Sequence, residues 1–230
     1  MPRWVSNLLM LILTVGIPPF IVLSNLNIFL TPQYLDFEYG KAGFPPADRF
    51  NARDRRYYAI ESIEYERGNR NFEQFKALGV YNDRELNHMV DVRVLIAEVE
   101  VFRLLDSVLL LVVLIVLVAQ PATRAFAAQG LFNGGLLTIL LFAGIGLFAA
   151  TGFNTFFTDF HRIFFSGDTW LFNYTDSLIQ FYPLPFWFDT SLYLTGLTMV
   201  EALVIGAAGW WWGRRQSAVV SSQSSVGSRQ

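Results

Sequence analysis

The chain has 230 residues, of which 53% are hydrophobic and only 16% are charged, and its formal net charge is −2. Soluble domains usually carry about 25% charged residues, so this composition predicts a multi-span membrane protein, and the slightly acidic balance gives no basis for nucleic-acid binding. The absence of cysteine and the presence of only two histidines exclude disulfides, thiolate ligands, a cysteine nucleophile and a histidine-rich metal centre.

Four long apolar segments predict four transmembrane helices, because about 20 apolar residues are needed to cross the hydrocarbon core. The expected spans, the first with a short cytoplasmic N-terminus, are residues 1–30, 99–119, 131–153 and 190–212. The expected polar parts are two extracytoplasmic segments, 31–98 and 154–189, a cytoplasmic loop, 120–130, and a disordered cytoplasmic tail, 213–230. Pro18-Pro19 is expected to kink or divide the first helix.

The charges of the short loops predict the orientation. Basic residues gather at the two termini and in the 120–130 loop: Arg3, Arg124, Arg214, Arg215 and Arg229. The segment 154–189 has Arg162 as its only arginine or lysine, against Asp159, Asp168 and Asp176. We therefore expect both termini in the cytoplasm and the two longer polar segments outside.

The first polar segment begins with the partly alternating stretch TPQYLDFEYG, which favours one or two short strands. An amphipathic helix is expected over residues 48–67, where apolar side chains recur at roughly helical spacing. The predicted fold is an all-α membrane protein with four transmembrane helices and a small α+β extracytoplasmic region built from the two outer segments.

A further helix is expected to begin at Asn82 or Asp83, with Glu85 returning the capping hydrogen bond, and to run into the second span. His88 and Asp91 lie one turn apart on it, so Asp91 could hold the imidazole in one tautomer. Arg103 follows in the outer third of the span, where an unpaired charge is costly, so it is expected to pair or to line a polar cavity.

The second polar segment is dense in aromatic residues and contains His161. Asn154, Thr158, His161 and Phe165 repeat at helical spacing, which indicates that the third helix continues beyond the bilayer. Asp168 or Asp159 could orient His161 as Asp91 could orient His88. Both histidines are expected near the outer interface, within one site.

Two interfacial histidines are compatible with three interpretations. The first is acid/base chemistry on a lipid or lipid-linked substrate, because histidine titrates near neutral pH. The second is a metal site of two histidines and nearby carboxylates, and the third is a purely structural pair of hydrogen-bonded residues. No Gly-x-Ser-x-Gly nucleophile motif is present, so the protein is not expected to supply its own nucleophile.

Two motifs resemble those of a known family. The stretch from His88 to Arg93, HMVDVR, resembles an H-x-x-D-V-K/R segment, and that from Phe160 to Phe172, FHRIFFSGDTWLF, resembles F-H-x-x-F-F-x-N-D-x-W-x-F. Both occur, in this order among four spans, in the bacterial integral membrane family that includes the lipoprotein intramolecular transacylase, Lit. The chain departs from the family pattern at Gly167, where Asn is usual.

This resemblance implies an acyltransferase at the outer face of the bacterial cytoplasmic membrane. Such an enzyme moves the sn-2 acyl chain of a lipoprotein's diacylglyceryl-cysteine to the amino group of the same cysteine. The family's two functional histidines carry over onto His88 and His161. The implied partners are membrane lipids and a lipoprotein N-terminus, and neither a metal nor another cofactor is implied.

The expected roles are His161 as general base and His88, oriented by Asp91, as oxyanion stabiliser or acid, although the two roles can be exchanged. Asp168 is a supporting residue, and Arg93, Arg103 and Arg162 are candidates to bind carbonyl or headgroup oxygens. The alternative function is that of a non-catalytic membrane scaffold or lipid-binding protein of the same fold.

Overall fold

A computed structural model of the protein describes the backbone of residues 1–227 and the side chains of residues 1–216. Within this part of the chain, nine α-helices follow one another, with one turn of 3₁₀ helix at Pro121–Thr123. The helices are α1 (Arg3–Phe29), α2 (Pro32–Tyr39), α3 (Ala52–Glu66), α4 (Phe72–Lys76), α5 (Asp83–Ala119), α6 (Arg124–Thr151), α7 (Phe153–Phe164), α8 (Ser177–Phe181) and α9 (Leu184–Gly227).

Four of these helices, α1, α5, α6 and α9, are long and apolar enough to cross a membrane, so the prediction of four transmembrane helices is confirmed. The 37 residues of α5 extend over about 55 Å, well beyond the roughly 30 Å of a hydrocarbon core. Helix α5 is therefore longer than a single membrane span requires. Pro18 and Pro19 were expected to kink or divide the first span, and helix α1 continues through them without division.

The prediction of an α+β region was wrong, because no strand occurs in the described residues 1–227. The stretch read as strands forms α2 instead. The hydroxyl of Thr31 caps this helix by accepting from the Tyr34 N–H, and Pro32 occupies its first position, where a missing N–H costs nothing. The buried residues Tyr34, Leu35 and Glu38 then share one helical face.

The described helices contribute to two compact units. The transmembrane unit consists of Met1–Ser24, Phe102–Ile145 and the chain from Thr195. Its core contains aliphatic side chains such as Leu13, Ile17, Val113 and Leu117. The backbones of α6 and α9 approach closely there, since a Cβ added at Gly135 would lie 2.5 Å from the Ala202 carbonyl oxygen.

The second unit, here called the polar unit, consists of Asn25–Val101 and Gly146–Leu194. Its core is aromatic and aliphatic, and Leu35, Ala59, Phe75 and Phe181 are almost completely buried. Main-chain carbonyls in this core accept from tyrosine hydroxyls: Tyr182 donates to Ala59, and Tyr39 to Phe181. Both histidines belong to this unit.

Two further details differ from the simplest expectation. Helix α6 does not continue into α7, because the helix is interrupted at Gly152, whose backbone is not helical (φ −147°, ψ 49°). Helix α9 runs on to Gly227, through most of the segment that the sequence predicts to be disordered. The remaining residues of that segment, 228–230, lie outside the described part of the chain.

Candidate active site

A buried carboxylate fixes the start of α5 by accepting hydrogen bonds from two segments of the chain. Asn82 and Glu85 form the expected capping box: the Glu85 N–H donates to Asn82 Oδ1 at 3.1 Å, and the Asn82 N–H donates to Glu85 Oε2 at 2.9 Å. The other oxygen of Glu85 accepts from the Leu178 N–H at 2.7 Å, and the residue is only 1% exposed. One buried side chain thus joins residues that are 93 positions apart in the sequence.

Neighbouring hydrogen bonds reinforce this junction. Asn82 Nδ2 donates to Asp176 Oδ1 at 3.1 Å, and the second Asp176 oxygen accepts from the Asn173 N–H at 2.7 Å. The Ser177 hydroxyl donates to the Val80 carbonyl. Together these bonds hold the segment that follows α7 against the start of α5, one turn before His88.

The two histidine rings face one another. Their centroids are 6.1 Å apart, and the ring planes differ by 27°. Phe165 contacts both rings, at 4.9 Å from His88 and 5.5 Å from His161. Phe172 packs on His88 at 5.3 Å, and Trp170 on His161 at 5.0 Å. The structure therefore brings the two predicted histidines together within an aromatic enclosure.

The hydrogen bonding of His161 defines its tautomer. His161 Nδ1 lies 2.7 Å from the carbonyl oxygen of Phe157, one turn earlier on α7. Because a carbonyl oxygen can only accept, Nδ1 carries the proton, and in the neutral ring Nε2 holds the free lone pair. The ring is thus arranged with Nε2 as its basic nitrogen.

Both imidazoles favour the neutral form. Burial lowers the pKa of His88 to about 4, with a smaller contribution from the positive charge that His161 can carry. Burial also lowers the pKa of His161, although the hydrogen bond to Phe157 opposes the shift. His88 is only 7% exposed, and its Nδ1 has no hydrogen-bond partner among the described residues. Two neutral rings avoid the cost of burying charge.

The loop after α7 places Trp170 through a left-handed turn. Gly167 has φ +71°, and its carbonyl accepts from Trp170 Nε1 at 3.1 Å. Glycine and asparagine adopt this conformation more readily than other residues. Glycine at this position, where Asn is usual in the resembling motif, therefore preserves the backbone geometry that the turn requires.

The two expected supporting aspartates form no hydrogen bond or ion pair with either histidine in the described structure. Asp91 accepts a long hydrogen bond, 3.5 Å, from the hydroxyl of Thr169. This contact joins the two motifs but leaves His88 without the expected carboxylate. Asp168 is exposed, and its described hydrogen bond is the one that its carbonyl accepts from the Leu171 N–H. Aromatic packing and one carbonyl, rather than carboxylates, hold the rings.

The described partners of the three candidate arginines are residues other than the two histidines. Arg162 is exposed and lies 3.8 Å from Asp159 on the same helix. Arg93 contacts the Arg70 carbonyl and the Tyr65 ring. Arg103 belongs to the transmembrane unit, where its carbonyl accepts from the Ser107 hydroxyl. Among the residues with described side chains, no group of three or more His, Asp or Glu is arranged to hold a metal.

From the sequence, Phe165 was expected as part of a helical repeat, but no contact of Phe165, Trp170, Phe172 or the Phe157 carbonyl with the histidines was predicted. Phe165, Trp170 and Phe172 enclose the rings, and Phe157 supplies the carbonyl. The signal for the first three was present, since each occupies an aromatic position of the second motif. The role of the Phe157 carbonyl had no sequence signal, because any residue would provide one.

A known family model matches the part of the chain that contains both histidines. A family model described as "Lipoprotein intramolecular transacylase Lit" matches residues 8–187. An uncharacterised protein of Aquifex aeolicus is 28% identical over 210 residues, which cover 86% of this chain and 92% of that protein.

Two solved structures share the fold. The membrane-integral lipoprotein intramolecular transacylase Lit from Bacillus cereus superposes with a TM-score of 0.74 at 16% identity, covering 94% of this chain and all of that one. A histidine-to-arginine variant of the same protein gives 0.72 at 15% identity, covering 94% and 96%.

The turn at Gly167 generates a first prediction. Gly167→Asn is expected to retain near-normal stability, whereas Gly167→Val should lose about 1–2 kcal/mol, because a β-branched residue resists positive φ. No atom lies within 4 Å of an added Cβ, so the two variants differ in backbone preference rather than in steric fit. Thermal unfolding in detergent measures the difference in stability. Equal stability of both variants would contradict the left-handed backbone conformation at Gly167.

The lowered pKa values generate a second prediction. Because the chain has two histidines, proton NMR of protein without a histidine tag should show two imidazole signals, which His88→Gln would assign. The His88 signal is expected to titrate near pH 4 and that of His161 below the ordinary value of about 6.5. The unfolding free energy should accordingly decrease as the pH falls from about 6.5 towards 4. Titration of both rings near 6.5 would show that the site is not desolvated.

Proposed function

Since the chain belongs to the lipoprotein intramolecular transacylase (Lit) family, we propose that it moves the sn-2 acyl chain of a diacylglyceryl-cysteine lipoprotein to that cysteine's own amino group. The product is a lyso-form lipoprotein with an N-acyl group and one remaining acyl chain on glycerol. The observation that carries the proposal is the pair of facing histidines, one buried and one partly buried, whose ring centroids are 6.1 Å apart.

The substrate supplies both reacting groups in this scheme. The amino nitrogen attacks the ester carbonyl carbon, a C–N bond forms, and the ester C–O bond to glycerol then breaks. One proton leaves the amine and one arrives on the glycerol oxygen, so the net reaction needs neither water nor a protein nucleophile. Holding the two ends of one molecule together supplies much of the acceleration by proximity.

His161 is proposed as the general base. Its Nδ1–H donates to the Phe157 carbonyl, so Nε2 accepts the proton as the amine attacks. An α-amino group has a pKa of about 7.7–8.0, and a substantial fraction is already neutral near physiological pH. The imidazolium that forms then returns the proton to the departing glycerol oxygen.

His88 is proposed to stabilise the oxyanion. A neutral imidazole has one N–H that can donate to the developing negative charge, and such a bond is strong where water is excluded. The surrounding rings of Phe165 and Phe172 supply that low-polarity environment. Burial keeps His88 neutral, so it acts as a hydrogen-bond donor more readily than as a full acid.

Helix α7 is proposed to lie at the membrane surface, where it presents His161 to a lipid-anchored substrate. Five of its apolar side chains, Phe156, Phe157, Phe160, Ile163 and Phe164, are not buried within the protein. A helix with a strongly apolar, unburied face is typical of one that rests in the interface. The distribution of basic residues in the short loops supports the outer side.

The third prediction concerns the product and the two histidines. In a bacterial host that makes only diacylglyceryl lipoproteins, expression of this protein should convert the N-terminal lipopeptide to its N-acyl, monoacylglyceryl isomer. His161→Ala or His88→Ala should lower the conversion by about 10²–10⁴-fold, as expected for loss of an acid/base group. Because the two forms have the same mass, tandem mass spectrometry and labelling of the free amine must distinguish them.

Tyr174→Ala is the matched control. Tyr174 lies in the same polar segment, and its side chain is 75% exposed, so the variant should retain conversion. Membrane insertion of every variant is checked by detergent extraction and size-exclusion chromatography. Unchanged conversion by both histidine variants would contradict histidine catalysis, and an unchanged diacylglyceryl lipopeptide with the correctly inserted wild type would contradict the proposed substrate.

A further inference from the structure

The polar unit contains a cavity that is distinct from the histidine pair. It has a volume of about 320 Å³ and lies between the end of α1, the end of α3 and one face of α5. Small-molecule sites in proteins usually have about 300–1,000 Å³. The lining includes Asn27, Glu66, Arg67, Arg93 and Glu100, and it contains neither histidine.

Arg93 belongs to the first motif but faces this cavity. It follows His88 by five residues on α5, which turns its side chain by about 140° away from that of His88. Its Nη1 donates to the Arg70 carbonyl at 2.7 Å, and its guanidinium lies 4.8 Å from the centre of the Tyr65 ring. These contacts hold Arg93 in the cavity wall, where the proposed acyl transfer does not use it.

Arg67 is held in a comparable way. It follows the last residue of α3, and its Nη1 donates to the Leu30 carbonyl at 2.8 Å. Each of the two arginines thus uses one N–H on a main-chain oxygen, and neither forms an ion pair with a residue in the described part of the chain. The other N–H groups of two guanidiniums suit the several oxygens of a phosphate.

The same cavity contains two carboxyl groups. Glu66 has no hydrogen bond or ion pair to a described residue, and burial raises its pKa to about 8. Glu100 accepts from Asn27 Nδ2 at 2.7 Å. Two guanidiniums and two carboxyl groups match a ligand that carries both charges better than a simple anion, because an ammonium beside Glu66 would offset the cost of burying that carboxylate.

We propose that this cavity binds the headgroup of an aminophospholipid, with the phosphate at Arg67 and Arg93 and the ammonium at Glu66. The position is suitable for a lipid, because Asn27 lies near the end of the apolar helix α1 and Glu100 just before the most apolar part of α5, so both residues adjoin candidate membrane spans along the chain. Leu30, Ile96 and Ala97 add an apolar part of the lining for the glycerol end. The proposal is independent of acyl transfer and concerns binding alone.

The fourth prediction is a lipid preference. Native mass spectrometry of the delipidated wild-type protein should detect phosphatidylethanolamine bound about tenfold more tightly than phosphatidylcholine or phosphatidylglycerol with the same acyl chains. Phosphatidylcholine lacks the ammonium N–H groups, and phosphatidylglycerol lacks the cation. Equal binding of all three lipids, or strongest binding of phosphatidylglycerol, would overturn the proposal. Competition by glycerophosphoethanolamine at lipid-like concentrations would also overturn it, because the ligand would then be a free headgroup.

Variants test the phosphate contact and the ammonium contact separately. Arg93→Gln should weaken all three lipids by about tenfold, since each carries a phosphate, whereas Glu66→Gln should remove only the preference for phosphatidylethanolamine. The matched controls are Arg53→Gln and Glu98→Gln, because both residues are exposed and neither lines the cavity. If Arg93→Gln unfolds, Arg93→Lys, which keeps the positive charge, replaces it as the test variant. Unchanged lipid binding by the folded Arg93 and Glu66 variants would contradict the site.

Discussion

The buried carboxylate of Glu85 is the interaction on which the geometry of the site depends. A single side chain accepts from the Asn82 N–H at the start of α5 and from the Leu178 N–H in the second polar segment. Because α5 is a rigid helix, fixing its first turn also fixes His88 one turn later. The same bond fixes the chain that follows α7, and with it the loop that packs on His161. Two histidines far apart in the sequence are thereby held face to face.

The enclosure then determines which chemistry the rings can perform. Phe165, Phe172 and Trp170 pack on the rings and reduce their exposure to water, so both imidazoles favour the neutral state, in which one nitrogen accepts a proton and the other donates a hydrogen bond. A reaction whose substrate brings its own amine and ester needs only these two properties. The absence of a serine or cysteine nucleophile motif from the sequence accords with an intramolecular transfer of this kind.

Much of this arrangement could be predicted from the sequence, because long apolar runs and a capping box are local signals. Counting spans predicted that His88 and His161 lie on one side of the membrane, and the structure adds that their rings face one another. The polar contacts could not be predicted in the same way. Asp91 has the right spacing to reach His88, but its partner is Thr169, which tertiary packing brings near. The stretch after Thr31 alternates like a strand, but the cap at Thr31 and the proline that follows it favour a helix.

In the proposed mechanism the two histidines act as one catalytic unit. The most direct test is the single-turnover rate of transfer on a synthetic diacylglyceryl-cysteine peptide, measured for purified wild type, His88→Ala, His161→Ala and the double variant in the same lipid nanodiscs. Groups that act on one transition state lose their effect together, so the double variant should be about as slow as the slower single variant. A double variant slowed by the product of the two single losses would contradict the account.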